Sequence, residues 1–188
     1  MKSATQILRD EHDAILLMLD ALEGVARRLE SGDAIALQTL TDFHEFATLF
    51  ADRCHHGKEE DLLFPFLERK GVPRAGGPLG CMLTEHDEGR GYVRLMGMNA
   101  EPCASGDAAA RIAWIGAARG YANLLRNHIW KENEILFRIA ERVMSPEEQE
   151  ALAKEFAKVE EEKIGQETHA RLEEKLAKLT REMAATAH

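Results

Sequence analysis

Apolar residues recur along this chain at three- and four-residue spacings, the period of an amphipathic helix, and no run alternates as a strand would. The stripe Leu8, Ile15, Leu16, Leu19, Leu22, Ala26 and Leu29 predicts a helix over Ser3–Glu30, ended by Ser31-Gly32. A second is expected from Asp33 to Lys70, carrying Phe43, Phe46, Ala47, Phe50 and Phe66 and stopped at Gly71-Val72-Pro73. A third begins near Pro78 with Leu79, Met82, Leu83, His86, Val93 and Met96 and fades before Pro102, leaving Glu101–Gly106 as a loop. Asp107 is a suitable N-cap for a fourth, which continues through Ile112, Ile115, Leu124, Leu125, Ile135, Leu136 and Ile139.

Short links between long helices predict an all-α fold, an antiparallel up-down four-helix bundle over residues 1–144. Residues 145–188 read as a charged C-terminal helical extension. It opens on the cap Ser145-Pro146-Glu147-Glu148 and is broken at Gly165. Its narrow stripe Leu172-Leu176-Leu179-Met183 has coiled-coil spacing and must be covered, by this chain's own bundle or by a second copy in a homodimer. The border of charge favours the second copy.

Within the second and fourth helices a ten-residue pattern occurs twice, His55–Phe64 (HHGKEEDLLF) and His128–Phe137 (HIWKENEILF). Both read His-x-x-Lys-Glu-x-x-x-Leu-Phe. On a helix, residues four apart share a face, so each copy offers an imidazole beside a carboxylate, His55 with Glu59 and His128 with Glu132. His12 and His86 fall on the apolar stripes of the first and third helices. One such histidine alone is an ordinary core residue. Unpaired imidazoles and carboxylates gathered in one interior are too costly to desolvate without a cation. The pair His56/Glu60 has the same spacing, but aligning Lys58 with Lys131 selects His55/Glu59, and Asp52 four residues before His56 suits an outer face. His44 is read as a non-ligand, and His169 and His188 as solvated. The donors are nitrogen and oxygen without thiolate, a mixture suited to iron among other divalent metals.

The rest of the composition narrows the partners. The net charge of -9 lacks the basic footprint of nucleic-acid binding and disfavours anionic membranes. No stretch approaches the ~20 apolar residues of a membrane span. The start lacks a signal peptide's apolar run, and Cys54, Cys81 and Cys103 read as free thiols of a cytoplasmic protein.

The order His12 … His55-x-x-x-Glu59 … His86 … His128-x-x-x-Glu132, with the phrases KEEDLLFP, EHDEGR and HIWKENEILF, resembles the hemerythrin-like family, the HHE cation-binding domains, over roughly Ser3 to Met144. Ferritin-type bundles use Glu-x-x-His instead. The resemblance implies a non-haem di-iron centre of two iron ions, with Glu59 and Glu132 bridging and His12, His55, His86 and His128 terminal. It implies a small ligand such as oxygen, peroxide or nitric oxide. Oxygen-carrying members have a fifth histidine on the third helix, four residues from another; here Met82 and Arg90 stand at those places. Tyr121, two turns before His128, is a candidate neighbour of the vacant position, against its reading as a core tyrosine. The open site points away from simple oxygen carriage, toward peroxide or nitric oxide chemistry or sensing. The alternative is a metal-stabilised structural or interaction bundle without redox chemistry.

Gly89, Gly91, Gly116 and Gly120 read either as close helix contacts or as a path to the metals, and Trp114 and Trp130 as packed.

Overall fold

The computed structural model describes residues 2–185, with side chains through Arg181. Among them the fold is all-helical, with no strand. Helix α1 spans Ala4–Glu30, and its N-cap Ser3 accepts from the Gln6 amide. The second helix begins at Leu37 (α2, Leu37–Phe46) and not at Asp33, because Ala36 is extended and Ile35 is tucked into the core ahead of it. It then widens into two π-helical stretches, π1 (Ala47–His56) and π2 (Glu59–Leu63), before closing as α3 (Phe64–Arg69).

Helix α4 (Pro78–Ala104) runs through Pro102, whereas the sequence predicts a loop there. Pro102 removes one amide bond near the end of the helix, and Ala100 and Cys103, buried beside it, hold the last turn in place. Asp107 caps α5 (Ala108–Lys131), accepting from the Ala110 amide at 2.8 Å. The fourth segment continues as π3 (Glu132–Leu136) and α6 (Phe137–Val143). The expected capping box at Ser145 opens α7 (Pro146–Lys163), and Gly165, at φ 74°, turns the chain into α8 (Gln166–Ala185).

Helix α5 packs on α4 and α1, and α4 packs on α2. Apolar side chains form two separate cores. One holds Ile15, Leu19, Phe43, Val93, Trp114 and Ile129; the other holds Leu8, Leu63, Met82, Leu136 and Phe137. Between them, every long segment contributes buried polar residues: Glu11 and His12 on α1, His55, His56 and Glu59 on the second, His86 on α4, His128 and Glu132 on the fourth. A polar layer is thus clamped between two hydrophobic plugs, which exclude water from it.

Leu172, Leu176 and Leu179 of α8 are buried in the first core, against α1 and α2. The chain's own helices therefore cover the stripe, and it is not a free seam for a second copy. The charged border does not prevent this, because Arg171 and Lys175 pair with Asp42 and Glu45 of α2. The side chain of Met183 lies outside the described residues. Trp114 packs as expected, but Trp130 is exposed on the outer face of α5. No helix among the described residues is long and apolar enough to cross a membrane.

Candidate metal centre

The two copies of the ten-residue pattern share a backbone device. In each, the phenylalanine amide reaches back five residues to the glutamate carbonyl, Phe64 to Glu59 and Phe137 to Glu132. Such π-turns are rare and cluster at functional sites. They set Glu59 and Glu132 fully inside the polar layer.

There the six residues singled out from the sequence converge. His12 Nε2 lies 3.0 Å from His55 Nε2, and His86 Nε2 lies 3.1 Å from His128 Nε2. Each carboxylate sends one oxygen to each pair. Glu132 reaches His12 and His128, both at 3.2 Å. Glu59 reaches His55 at 3.7 Å and His86 at 3.5 Å.

The opposite nitrogen of every ring is already engaged. Nδ1 donates to Asn133 Oδ1 from His12, to Glu11 from His55, to Glu60 from His86 and to Glu85 from His128, at 2.7–3.0 Å. With the proton on Nδ1, Nε2 is a bare lone pair. Lone pairs therefore face lone pairs at about 3 Å, and all four oxygens of Glu59 and Glu132 are buried without a hydrogen-bond partner. Unpaired buried acceptors are costly, and a cation satisfies all of them at once. Carboxylates that orient ligating imidazoles through their outer nitrogen are the usual support of metal sites. Two groups of these donors lie close enough to hold a metal ion, His12, His55, Glu59 and Glu132 in one and His56, Glu59, His86 and His128 in the other.

Left to protons alone, the layer is electrostatically divided. Burial, then the Glu132 charge, pushes the Glu59 carboxyl well above its ordinary value. Burial works the same way on Glu132, but His128 and His12 outweigh it and hold that carboxyl low. Burial depresses His55 to about 4, against the pull of Glu11, and depresses His86 to about 3, helped by His56. His128 rises to about 9, because Glu132 and Glu85 overcome its burial.

His56 departs from the sequence reading. It is buried, not on an outer face, and its ring stacks on His86 with centroids 3.8 Å apart. One of its nitrogens lies within ligand reach of Glu59, His86 and His128, while Nδ1 meets Asp52 at 3.3 Å. The cause is π1 and π2, whose widened turns break the four-residue face rule applied to the repeat. Tyr121 is buried, with its ring against Gly89 of α4. His44 is outside the two donor groups around Glu59 and packs on Gly97, where a Cβ would stand 2.6 Å from its Nε2. His169 is half-buried, donating to Glu160 at 2.5 Å and resting on Phe50, where the sequence predicts solvation. His188 lies outside the described residues.

The outer carboxylates are what sequence reasoning missed. Glu11 and Glu85 each directly precede a site histidine and orient the histidine of the following repeat. The repeat's lysine then holds that glutamate, Lys58 on Glu11 and Lys131 on Glu85. The signal was present: the tripeptide Glu-His-Asp occurs at both 11–13 and 85–87. The full unit is Glu-His … His-x-x-Lys-Glu, and the chain carries it twice.

The model of the hemerythrin HHE cation binding domain matches residues 3–140. No curated protein and no solved structure matches the chain.

Proposed function

The chain belongs to the hemerythrin HHE cation-binding family, and on that premise we propose that it is a non-haem di-iron protein that binds or reacts with a small molecule such as oxygen, peroxide or nitric oxide. In this reading α1, α2 through α3, α4, and α5 through α6 form an antiparallel up-down four-helix bundle over residues 1–144. Residues 145–188 extend it. The pair would be held by His12 and His55 on one side, by His86, His128 and His56 on the other, and by Glu59 and Glu132 between them. His56 would thus stand in for the fifth histidine that oxygen-carrying members have on the third helix.

The observation that supports this most is the meeting of imidazole lone pairs around two unpartnered buried carboxylates. The absence of thiolate from the donor groups around Glu59 favours iron over softer metals. A pair of irons, when bound, supplies one-electron chemistry and a place for a small oxidant. The protein does the remaining work. Glu11, Glu60, Glu85 and Asn133 fix each imidazole in one tautomer and orientation. The two apolar cores keep bulk water off the layer. The thiols of Cys54, Cys81 and Cys103 are unpaired, which fits a reducing cytoplasm.

The test is anaerobic reduction of the purified protein, then exposure to oxygen, peroxide and nitric oxide under visible spectroscopy, with elemental analysis beside it. Two irons per chain and a spectral change with at least one ligand are expected. A zinc-filled or spectrally inert protein refutes the redox reading and leaves a metal-stabilised bundle.

A further inference from the structure

The doubled unit allows the two halves of the site to be compared place by place, and they differ on one side. Beside His56 lies a half-enclosed cavity of about 170 Å³, between π1, α4 and α5. At ~30 Å³ per water it holds about six. The equivalent place in the other half carries large buried apolar side chains. Gly89 follows His86 by three residues; Ile15 follows His12 by three. Thr48 and Asp52 precede His55 as Tyr121 and Leu125 precede His128, and His56 matches Ile129. Ile15, Leu125 and Ile129 are all buried core.

Gly89 is the residue that makes the room. It sits inside α4, where glycine costs about 1 kcal/mol relative to alanine. Its φ is not positive. A Cβ there would meet Tyr121 Cε2 at an ordinary 3.6 Å, so close helix contact does not require glycine. By contrast, Gly120 is needed for contact, since a Cβ would stand 2.4 Å from the Tyr92 ring. A full side chain at 89, like the isoleucine of the other half, would run into the space that the cavity occupies.

The lining is rich in donors without acceptors. Thr48 Oγ1 is buried and makes no hydrogen bond. The Tyr121 hydroxyl makes none among the described residues, and Arg94 at the exposed edge has no ion-pair partner among them. The lining carboxylate, Asp52, is already taken by His56 and by Arg90, which also holds Glu60 and Asp87. Unused hydroxyls and an unpaired guanidinium are complementary to an acceptor that carries negative charge.

We propose that this cavity is a binding site for a small anion of a few heavy atoms, carboxylate- or nitrite-sized, held by Thr48, Tyr121 and Arg94 against the outer face of His56. The site is separate from the coordination positions. Its service to the metal pair, as the place where an anionic reactant or product waits, rests on the proposed di-iron function; the binding itself does not.

Calorimetric titration of the purified protein with formate, and with neutral formamide of the same shape, tests this. Formate should saturate one site while formamide gives no saturable heat. Gly89→Leu should weaken formate at least tenfold with metal content unchanged, and Arg94→Gln should weaken it several-fold. The proposal is overturned if formate does not saturate, if formamide binds as well, or if folded Gly89→Leu keeps wild-type affinity. Should Gly89→Leu fail to fold, Arg94→Gln decides: unchanged affinity overturns the proposal. Elemental analysis of the same samples separates the two readings. Formate binding with these variant effects in a protein without metal removes the di-iron function alone; a metal-loaded protein without the site removes the cavity alone.

Discussion

Lys58 and Lys131 occupy the same place in the two repeats, hold equivalent glutamates, and should respond very differently to removal. The Lys58 side chain is 0% exposed and is clamped between Glu11 and Glu160; that of Lys131 is 28% exposed on Glu85. Burial works against the Lys58 charge, but Glu11 and then the neighbouring groups more than restore it. In Lys58→Met the stem is replaced at similar length and the cation is lost. Glu11, 10% exposed, is then left in the interior without its cation, while the half-buried Glu160 keeps only His169. Breaking a buried pair in this way costs about 3–5 kcal/mol. For a chain of this size about 2–4 °C of melting temperature goes with each kcal/mol, so the drop is roughly 6–20 °C. Lys131→Met breaks a pair that water already screens, worth about 0–1 kcal/mol, and should melt within about 4 °C of the parent. Thermal unfolding by circular dichroism, at matched metal content, measures both. Two variants that melt within about 2 °C of each other would refute the argument that burial, and not the repeat, sets the strength of these links.

Elemental analysis should find metal lost or halved in His55→Ala and Glu132→Ala; His56→Ala should fall toward half, and full metal in His56→Ala would return that residue to a packing role. Metal-stripped protein should melt clearly lower than loaded protein, because the facing lone pairs and carboxylates are then unsatisfied; equal melting would argue against a buried site. Glu160 is held at about 2, first by His169, against burial, so its share of stability is present above the unfolded carboxylate range and is lost as pH falls from about 4.5 toward 2. His169 is raised, first by Glu160, so its share is present below about 6.5 and is lost as pH rises past its folded value. Denaturant midpoints across pH should flatten at both ends in Glu160→Gln, and an unchanged profile would sink the pairing. A chain ending at Met144 keeps every proposed ligand but loses Phe156, Leu172, Leu176 and Leu179, buried side chains worth about 1.5–3 kcal/mol each. It should melt far lower or aggregate in light scattering, and a stable monomer would show that α8 is dispensable.

Much of the site was legible because its cause is local. His12, His55, Glu59, His86, His128 and Glu132 stand at helical spacings on apolar stripes, and burial of such groups demands compensation. His56 was not legible, since its burial depends on π-turns, and no spacing rule drawn from a regular helix anticipates an i→i−5 bond. Glu11 and Glu85 were visible as a repeated tripeptide, but their role is a contact between helices. The destination of α8 was closed to sequence reading for the same reason. A leucine stripe states that it needs cover; which surface supplies the cover depends on how much of α1 and α2 the other helices leave bare. Trp130 is the converse case, an aromatic ring on the outer face.

The crossing of the two carboxylates has a mechanical consequence. Glu59 belongs to the first Glu-His … His-x-x-Lys-Glu unit and Glu132 to the second, yet each serves both histidine pairs. Glu60 and Asn133, one residue further on, likewise cross to orient a histidine of the opposite unit. Neither half of the chain is a complete chelator. Each is a jaw with one carboxylate, the first adding His12, His55 and His56 and the second His86 and His128, and the donor set closes only when the jaws meet. Metal capture and the joining of the two halves are then a single event, and the ion would act as the rivet of the fold as well as its cargo.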